Sequence, residues 1–296
     1  MAVFQAMLPP TATRPKSQYW SGPSKLNILR DAIGVSTWIA LGAVLQSLLV
    51  ALAPFQWAVL PPAVYLAAQI IDTLLIWGSV RANPAMAGVV DGKVSAQFPG
   101  STAPSQQTVA VIQLAARSNH ALGALHPYFL TIGGYFDRMI ADLEARSAEE
   151  DENDDGDEGF GYLGSRSFLA NDRGTSNEVM VQIYFRSYAG LHRYAHAAGG
   201  VHREAWDYWS TVVTGKASTV GHLFSIMHEA YEVPARHWES IYINYQPTGL
   251  GATSFRGTQA AKDGTAQWAS PLVDARAGLL RTSKGRRANT DGDDRD

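Results

Sequence analysis

Cysteine is absent from the 296 residues, which rules out disulfide frameworks, Cys-ligated zinc, iron–sulfur clusters and thiol catalysis. A basic excess is missing too. Lys and Arg number 24 against 27 Asp and Glu, a formal net charge of −3, so no electrostatic footprint for nucleic acid exists and none is expected as a partner. Charged residues make up only 17% of the chain, against 46% hydrophobic. That balance supplies a real core for one or two domains. The chain also lacks internal repeats. A haem held by histidine, or no cofactor at all, is left open.

What is present begins with apolar runs. Ile33 to Ala53 contains no charged residue and matches the roughly 20 apolar residues that span a bilayer as a helix. A second run, about Ala58 to Trp77, is interrupted near its start by Pro61 and Pro62 and carries Gln69 and Asp72. The expectation is a membrane hairpin, with Trp38, Trp57, Tyr65 and Trp77 as interfacial aromatic residues. A buried core pair and a cleaved leader ending at Ala51-Leu52-Ala53 are the other readings. Arg14, Lys16, Lys25 and Arg30 precede the hairpin, and Arg81 and Lys93 follow it. The positive-inside rule places both flanks in the cytoplasm, at the endoplasmic reticulum in a eukaryote. Asp72 reads as a span-end residue that reaches the interface.

Residues 82–106 are rich in Pro, Gly, Ser and Ala and read as a linker. Strands are expected at Thr108–Leu114, Tyr162–Leu169, Val179–Phe185 and His222–Val233. Leu122 to Leu143 has helical spacing, with Leu125, Phe129, Ile132, Phe136, Met139, Ile140 and Leu143 on one stripe. Between the third and fourth strands, HRYAHAAGGVHREAWDYW (192–209) reads as helix, a break at Gly199-Gly200, then helix. The order is β-α-β-β-α-β, an α+β ferredoxin-like domain. Trp238 to Tyr245 suits a short strand or helix.

The stretch 149–158, EEDENDDGDE, holds eight of the 27 acidic residues. DENDDG matches the start of an EF-hand loop, but Tyr162 stands where the bidentate Glu belongs. The run therefore reads as a solvated insert. Six of the eight histidines fall between 192 and 237. His192 and His196 share a helix face at metal-pair spacing, yet Arg193 replaces the Glu of HExxH. A set of His192, His196 and Glu229 would make a 2-His-1-carboxylate site; nothing in the spacing requires it, and no metal is assigned. His228 and Glu229 are adjacent in a strand, so at most one enters a given cavity.

QIYFRSYAGLHRYAH (182–196), VHREAWDYW (201–209) and IMHEAYEVPARHWESIYINYQPTGLGA (226–252) carry a family likeness. YFRS, HREAWDYW, HEAYEV and PTGLG are its most specific parts. They resemble a fungal and bacterial family associated with the monooxygenase of fumagillin biosynthesis. That group looks like a branch of the antibiotic-biosynthesis monooxygenases, which have a dimeric α+β barrel fold. The resemblance implies a homodimer and an oxygenase acting with dioxygen on a hydrophobic, polyketide-like intermediate of secondary metabolism. It implies no metal or flavin; a haem enzyme on a related barrel is the alternative cofactor reading. A dehydratase or cyclase, or a non-catalytic lipid-binding or accessory protein, is the alternative in function.

On this reading His228 is the base and Glu229 its rival, with His196 and His202 as secondary proton carriers. Tyr184 and Arg186 hold a substrate oxygen, and Trp206, Trp209 and Tyr231 wall the pocket, with Tyr208 beside them. Trp206 and Trp209 also fit plain core packing. The expected organisation is a cytoplasmic tail (1–32), a membrane hairpin (33–79), a linker (80–106), the α+β domain (107–253, insert 147–159) and a disordered tail (254–296).

Overall fold

The structure is a computed structural model that describes residues 4–21, 25–150, 160–170, 177–256 and 267–288. Most of the acidic insert, with its EF-hand-like hexapeptide, lies outside the described residues. In chain order the helices are α1 (Lys25–Asp31), α2 (Val35–Leu52) and α3 (Phe55–Trp77). Strands β1 (Val90–Ala96) and β2 (Val109–Ser118) lead to α4 (Pro127–Glu150). Then come β3 (Tyr162–Leu169), β4 (Glu178–Phe185), α5 (Tyr188–His196) and α6 (Val201–Tyr208). The rest is β5 (Phe224–Val233), β6 (Tyr242–Tyr245), β7 (Phe255–Arg256), β8 (Trp268–Ala269), β9 (Leu272–Asp274) and the short α7 (Ser283–Arg286).

Two compact units result, Ile33–Val89 and the remainder. The smaller is the α2–α3 pair, two helices long and apolar enough to cross a membrane. Ala58 is their one buried residue. Helix α3 continues through both prolines, where the sequence suggested an interruption. Pro62 leaves the carbonyl of Ala58 without its helical N–H partner, and Gln46 of α2 donates to it at 3.1 Å. Asp72 pairs with Arg81 just past the helix.

The larger unit is α+β. Its main sheet has the order β3-β4-β2-β5 with every pair antiparallel, the ferredoxin-like arrangement. One face carries Ile112 and Leu114 of β2, Val181, Ile183 and Phe185 of β4, and His228 and Ala230 of β5. The registers Leu114↔His228, Ile112↔Ala230 and Ile112↔Ile183 put these residues side by side. Against this face packs α4, whose Phe129, Ile132, Phe136, Met139, Ile140 and Leu143 are all buried. Each such side chain stabilises the fold by about 1.5–3 kcal/mol.

Three expectations are corrected. The linker contains β1, whose Val94 and Ala96, with Phe98 after it, are buried in a second core with Trp238, Leu250 and Leu272. Strand β1 pairs with β6 and β9 in a small sheet. The disordered tail is folded over 267–288, where Leu272 is buried and Arg286 is held by Glu239 at 2.9 Å. The N-terminal tail is likewise part of the fold. Met7 N–H donates to Leu272 O at 2.8 Å, Tyr19 N–H donates to Ser165 O at 2.9 Å, and the Arg14 guanidinium lies over both Tyr162 and Trp268. Periodicity missed these segments because each is too short to repeat. Their apolar residues are buried by partners far along the chain.

Candidate active site

A cavity of about 220 Å³ lies between the main sheet and the helices that cover it. Its floor is Ile112, Leu114, Ile183, Phe185, His228 and Ala230, and its roof is Phe136, Met139, Ile140 and Leu143 of α4. Helix α5 contributes Tyr188, Leu191, His192, Tyr194, Ala195 and His196, and α6 contributes His202. An adjoining pocket of about 70 Å³ shares Leu114, Phe136, Met139 and His202 and adds Trp206, Trp209 and Ile226. No Asp, Glu, Lys or Arg among the described residues lines either space. The polar groups are imidazoles, tyrosine hydroxyls and one or two indoles, the pattern of a ligand site with few orienting groups.

Local sequence explains how the helices reach this place. Ser187 caps α5, accepting the Gly190 N–H at 3.2 Å. Gly190 lets the helix approach β3, since a Cβ there would sit 2.2 Å from the Phe160 carbonyl oxygen. Gly199, at φ +69°, turns the chain from α5 into α6. Helix α6 then passes into one π-helical turn over Trp209–Val213. Buried Leu191 and Tyr194 fix α5 to the core, and the Tyr194 hydroxyl donates to Met139 O at 3.1 Å. Burial pushes the Tyr194 hydroxyl pKa up, with nearby Asp142 adding to the rise.

The imidazoles are positioned by backbone. His202 Nδ1 lies 2.9 Å from the Ala195 carbonyl and His196 Nδ1 lies 2.9 Å from the His192 carbonyl. A carbonyl only accepts, so in each ring Nδ1 is the protonated, donating nitrogen. Burial lowers the His202 pKa below its ordinary value. The Ala195 carbonyl opposes that shift, and His196, His228 and Arg203 reinforce it. His202 is thus a neutral imidazole in the middle of the site. Among the described residues, no three His, Asp or Glu side chains are grouped so as to hold a metal ion.

The candidates from the sequence separate into two groups. His228, His196 and His202 come together at the cavity, and Trp206 and Trp209 line the adjoining pocket. Trp206 is 52% exposed and lies at its edge. Glu229 and Tyr231 lie on the other face of β5, bonded to each other through the Tyr231 hydroxyl, so Glu229 does not join His192 and His196. Tyr184 also faces away, packed against the second core beside Gly249; burial pushes its hydroxyl pKa up to about 12. The Arg186 guanidinium sits over the Phe255 ring.

The reason is strand alternation. The apolar face of β4 holds the cavity, whereas Gln182, Tyr184 and Arg186 lie on its mixed face, turned away from the helices. Tyr188, Leu191 and the α4 stripe join the cavity wall beyond the residues expected there, and the helical spacing of the stripe is the sequence signal for its half of the wall.

An α+β domain of this topology, with an apolar, imidazole-lined cavity, has a counterpart among known families. Residues 109–250 match the family described as Monooxygenase af470-like. The chain is homologous to an oxidoreductase, Monooxygenase af470 of Aspergillus fumigatus, with 28% identity over 268 residues, 89% of this chain and 90% of that one. The resemblance read from the motifs is borne out. Among solved structures, SnoaB, a cofactor-independent oxygenase from Streptomyces nogalater, aligns at 11% identity over 41% of this chain and 90% of that one, with a TM-score of 0.25. An aldoxime dehydratase in complex with butyraldoxime aligns at 17% identity over 57% of this chain and 40% of that one, with a TM-score of 0.33. Both scores are too low for either likeness to bear on chemistry.

Proposed function

We propose that this protein is a monooxygenase that oxidises a hydrophobic, polyketide-like intermediate of secondary metabolism in the cavity above β2, β4 and β5, without a bound cofactor. The observation that carries the reading is the combination of an af470-like domain with an apolar cavity whose bases are imidazoles. His228 takes a proton from an activated C–H or phenolic O–H of the substrate. The resulting anion adds dioxygen at carbon, and the peroxide loses water. At a methylene carbon the balance is CH₂ plus O₂ giving C=O plus H₂O. Such a step needs a base that is neutral near physiological pH and a site with few waters. His202, kept neutral by burial, serves as the second proton carrier, and His196 links the site to solvent. Trp206 and Trp209 receive the apolar end of the substrate.

The α2–α3 hairpin anchors the chain in a membrane, where an apolar substrate concentrates, and the α+β domain faces the cytoplasm. The outer face of β5 leaves Met227 and Tyr231 42% and 50% exposed. A second copy covering that face would give a homodimer with a closed barrel.

The test is dioxygen uptake by detergent-solubilised protein with phenolic or polyene polyketide substrates, using ¹⁸O₂. One labelled oxygen in product, with turnover reduced about 10²–10⁴-fold in His228→Ala, supports the assignment. Turnover unchanged in that variant would remove His228 from the mechanism. A stoichiometric Soret band in purified protein would replace the cofactor-free reading with a haem one.

A further inference from the structure

At the rim of the cavity, His192 and His196 stand one turn apart on α5, both exposed. Residues at i and i+4 meet on one helix face, and here the ring centroids are 4.0 Å apart with planes inclined by 24°. His196 Nδ1 is committed to the His192 carbonyl at 2.9 Å. That leaves Nε2 as the ring nitrogen through which His196 could ligate a metal. The backbone beneath the pair is held by buried Leu191 and Tyr194 of the same helix.

We propose that His192 and His196 form an open, two-imidazole site for a divalent first-row transition ion at the mouth of the cavity. Two imidazole nitrogen donors with no carboxylate favour Cu²⁺, Ni²⁺ and Zn²⁺ over Mg²⁺, Ca²⁺ and Mn²⁺. A small splay of the stacked rings brings both nitrogens within about 2.0–2.1 Å of one ion, the usual imidazole distance. Among the described residues no third ligand joins the pair. Water fills the remaining positions, so the ion exchanges readily and is not a structural one. Both rings line the cavity, so a bound ion narrows its opening. The inference stands on this geometry and does not rest on the oxygenase reading.

Isothermal titration of the detergent-solubilised full chain with CuCl₂, NiCl₂, ZnCl₂ and MgCl₂ near neutral pH tests it. One site is expected, tightest for Cu²⁺ and absent for Mg²⁺. Affinity falls by more than about tenfold in both His192→Ala and His196→Ala. It is unchanged in His237→Ala, which removes an exposed imidazole elsewhere. Electron paramagnetic resonance of the Cu²⁺ complex should show coupling to imidazole nitrogen that is lost in either α5 variant. Wild-type affinity in the two α5 variants, or no heat with Cu²⁺ in the native chain, would overturn the site. Circular dichroism, with His196→Gln as a second variant, separates loss of ligand from loss of helix.

Discussion

His202 offers a test of the site that needs no substrate. Its pKa is lowered in the folded chain, first by burial, while the unfolded chain titrates near the ordinary value of about 6.5. Above that pH both states hold a neutral ring, and the group does not affect stability. As pH falls below it, the unfolded chain takes up a proton that the folded chain refuses. Stability is therefore lost progressively from about pH 6.5 down to the lowered folded value. The slope cannot exceed one proton, about 1.4 kcal/mol per pH unit.

His202→Asn keeps a nitrogen donor at the Nδ1 position for the Ala195 carbonyl and abolishes the titration. At about pH 7.5 the variant should cost no more than about 1 kcal/mol, the net worth of an ordinary hydrogen bond. Between about pH 5 and 6.5 its stability curve should be flatter than wild type by up to that one-proton slope. His126, whose pKa is also lowered by burial and by His120, contributes equally to both curves and cancels. Opening free energies from amide hydrogen exchange of β2 and β4 peptides, measured across this range in the full chain, give both curves. Parallel acid limbs in wild type and variant would refute the claim that His202 is held neutral.

Three other substitutions probe the architecture. Leu143→Ala, at a position 1% exposed in the α4 stripe, should cost about 2–5 kcal/mol in the same exchange measurement. Gly190→Ala drives a methyl group into the Phe160 carbonyl; the helix must shift, and a loss of about 1–3 kcal/mol with a displaced α5 is expected, read as lowered thermal stability. Ala230→Trp fills the floor of the cavity and should abolish substrate-dependent dioxygen uptake while leaving the β2–β5 pairing intact by hydrogen exchange. Retained turnover would place the chemistry elsewhere.

Much of this protein was legible in its sequence because the signals were local and repeated. Two long apolar runs define α2 and α3, and the helical stripe from Phe129 to Leu143 defines the inner face of α4. Alternation in Val179–Phe185 separates an apolar from a mixed face, and the motifs around HREAWDYW and HEAYEV identify the family. Tertiary structure alone decided which face holds the cavity. The resemblance put Tyr184, Arg186 and Glu229 in the site, yet the pleat turns them away from the helices, and among the described residues His228 is the one polar side chain of the cavity floor. Chain packing also decided that 90–96 and 267–288 are folded. Their few apolar residues have no period to read, and they are buried only by partners that lie far away in the chain.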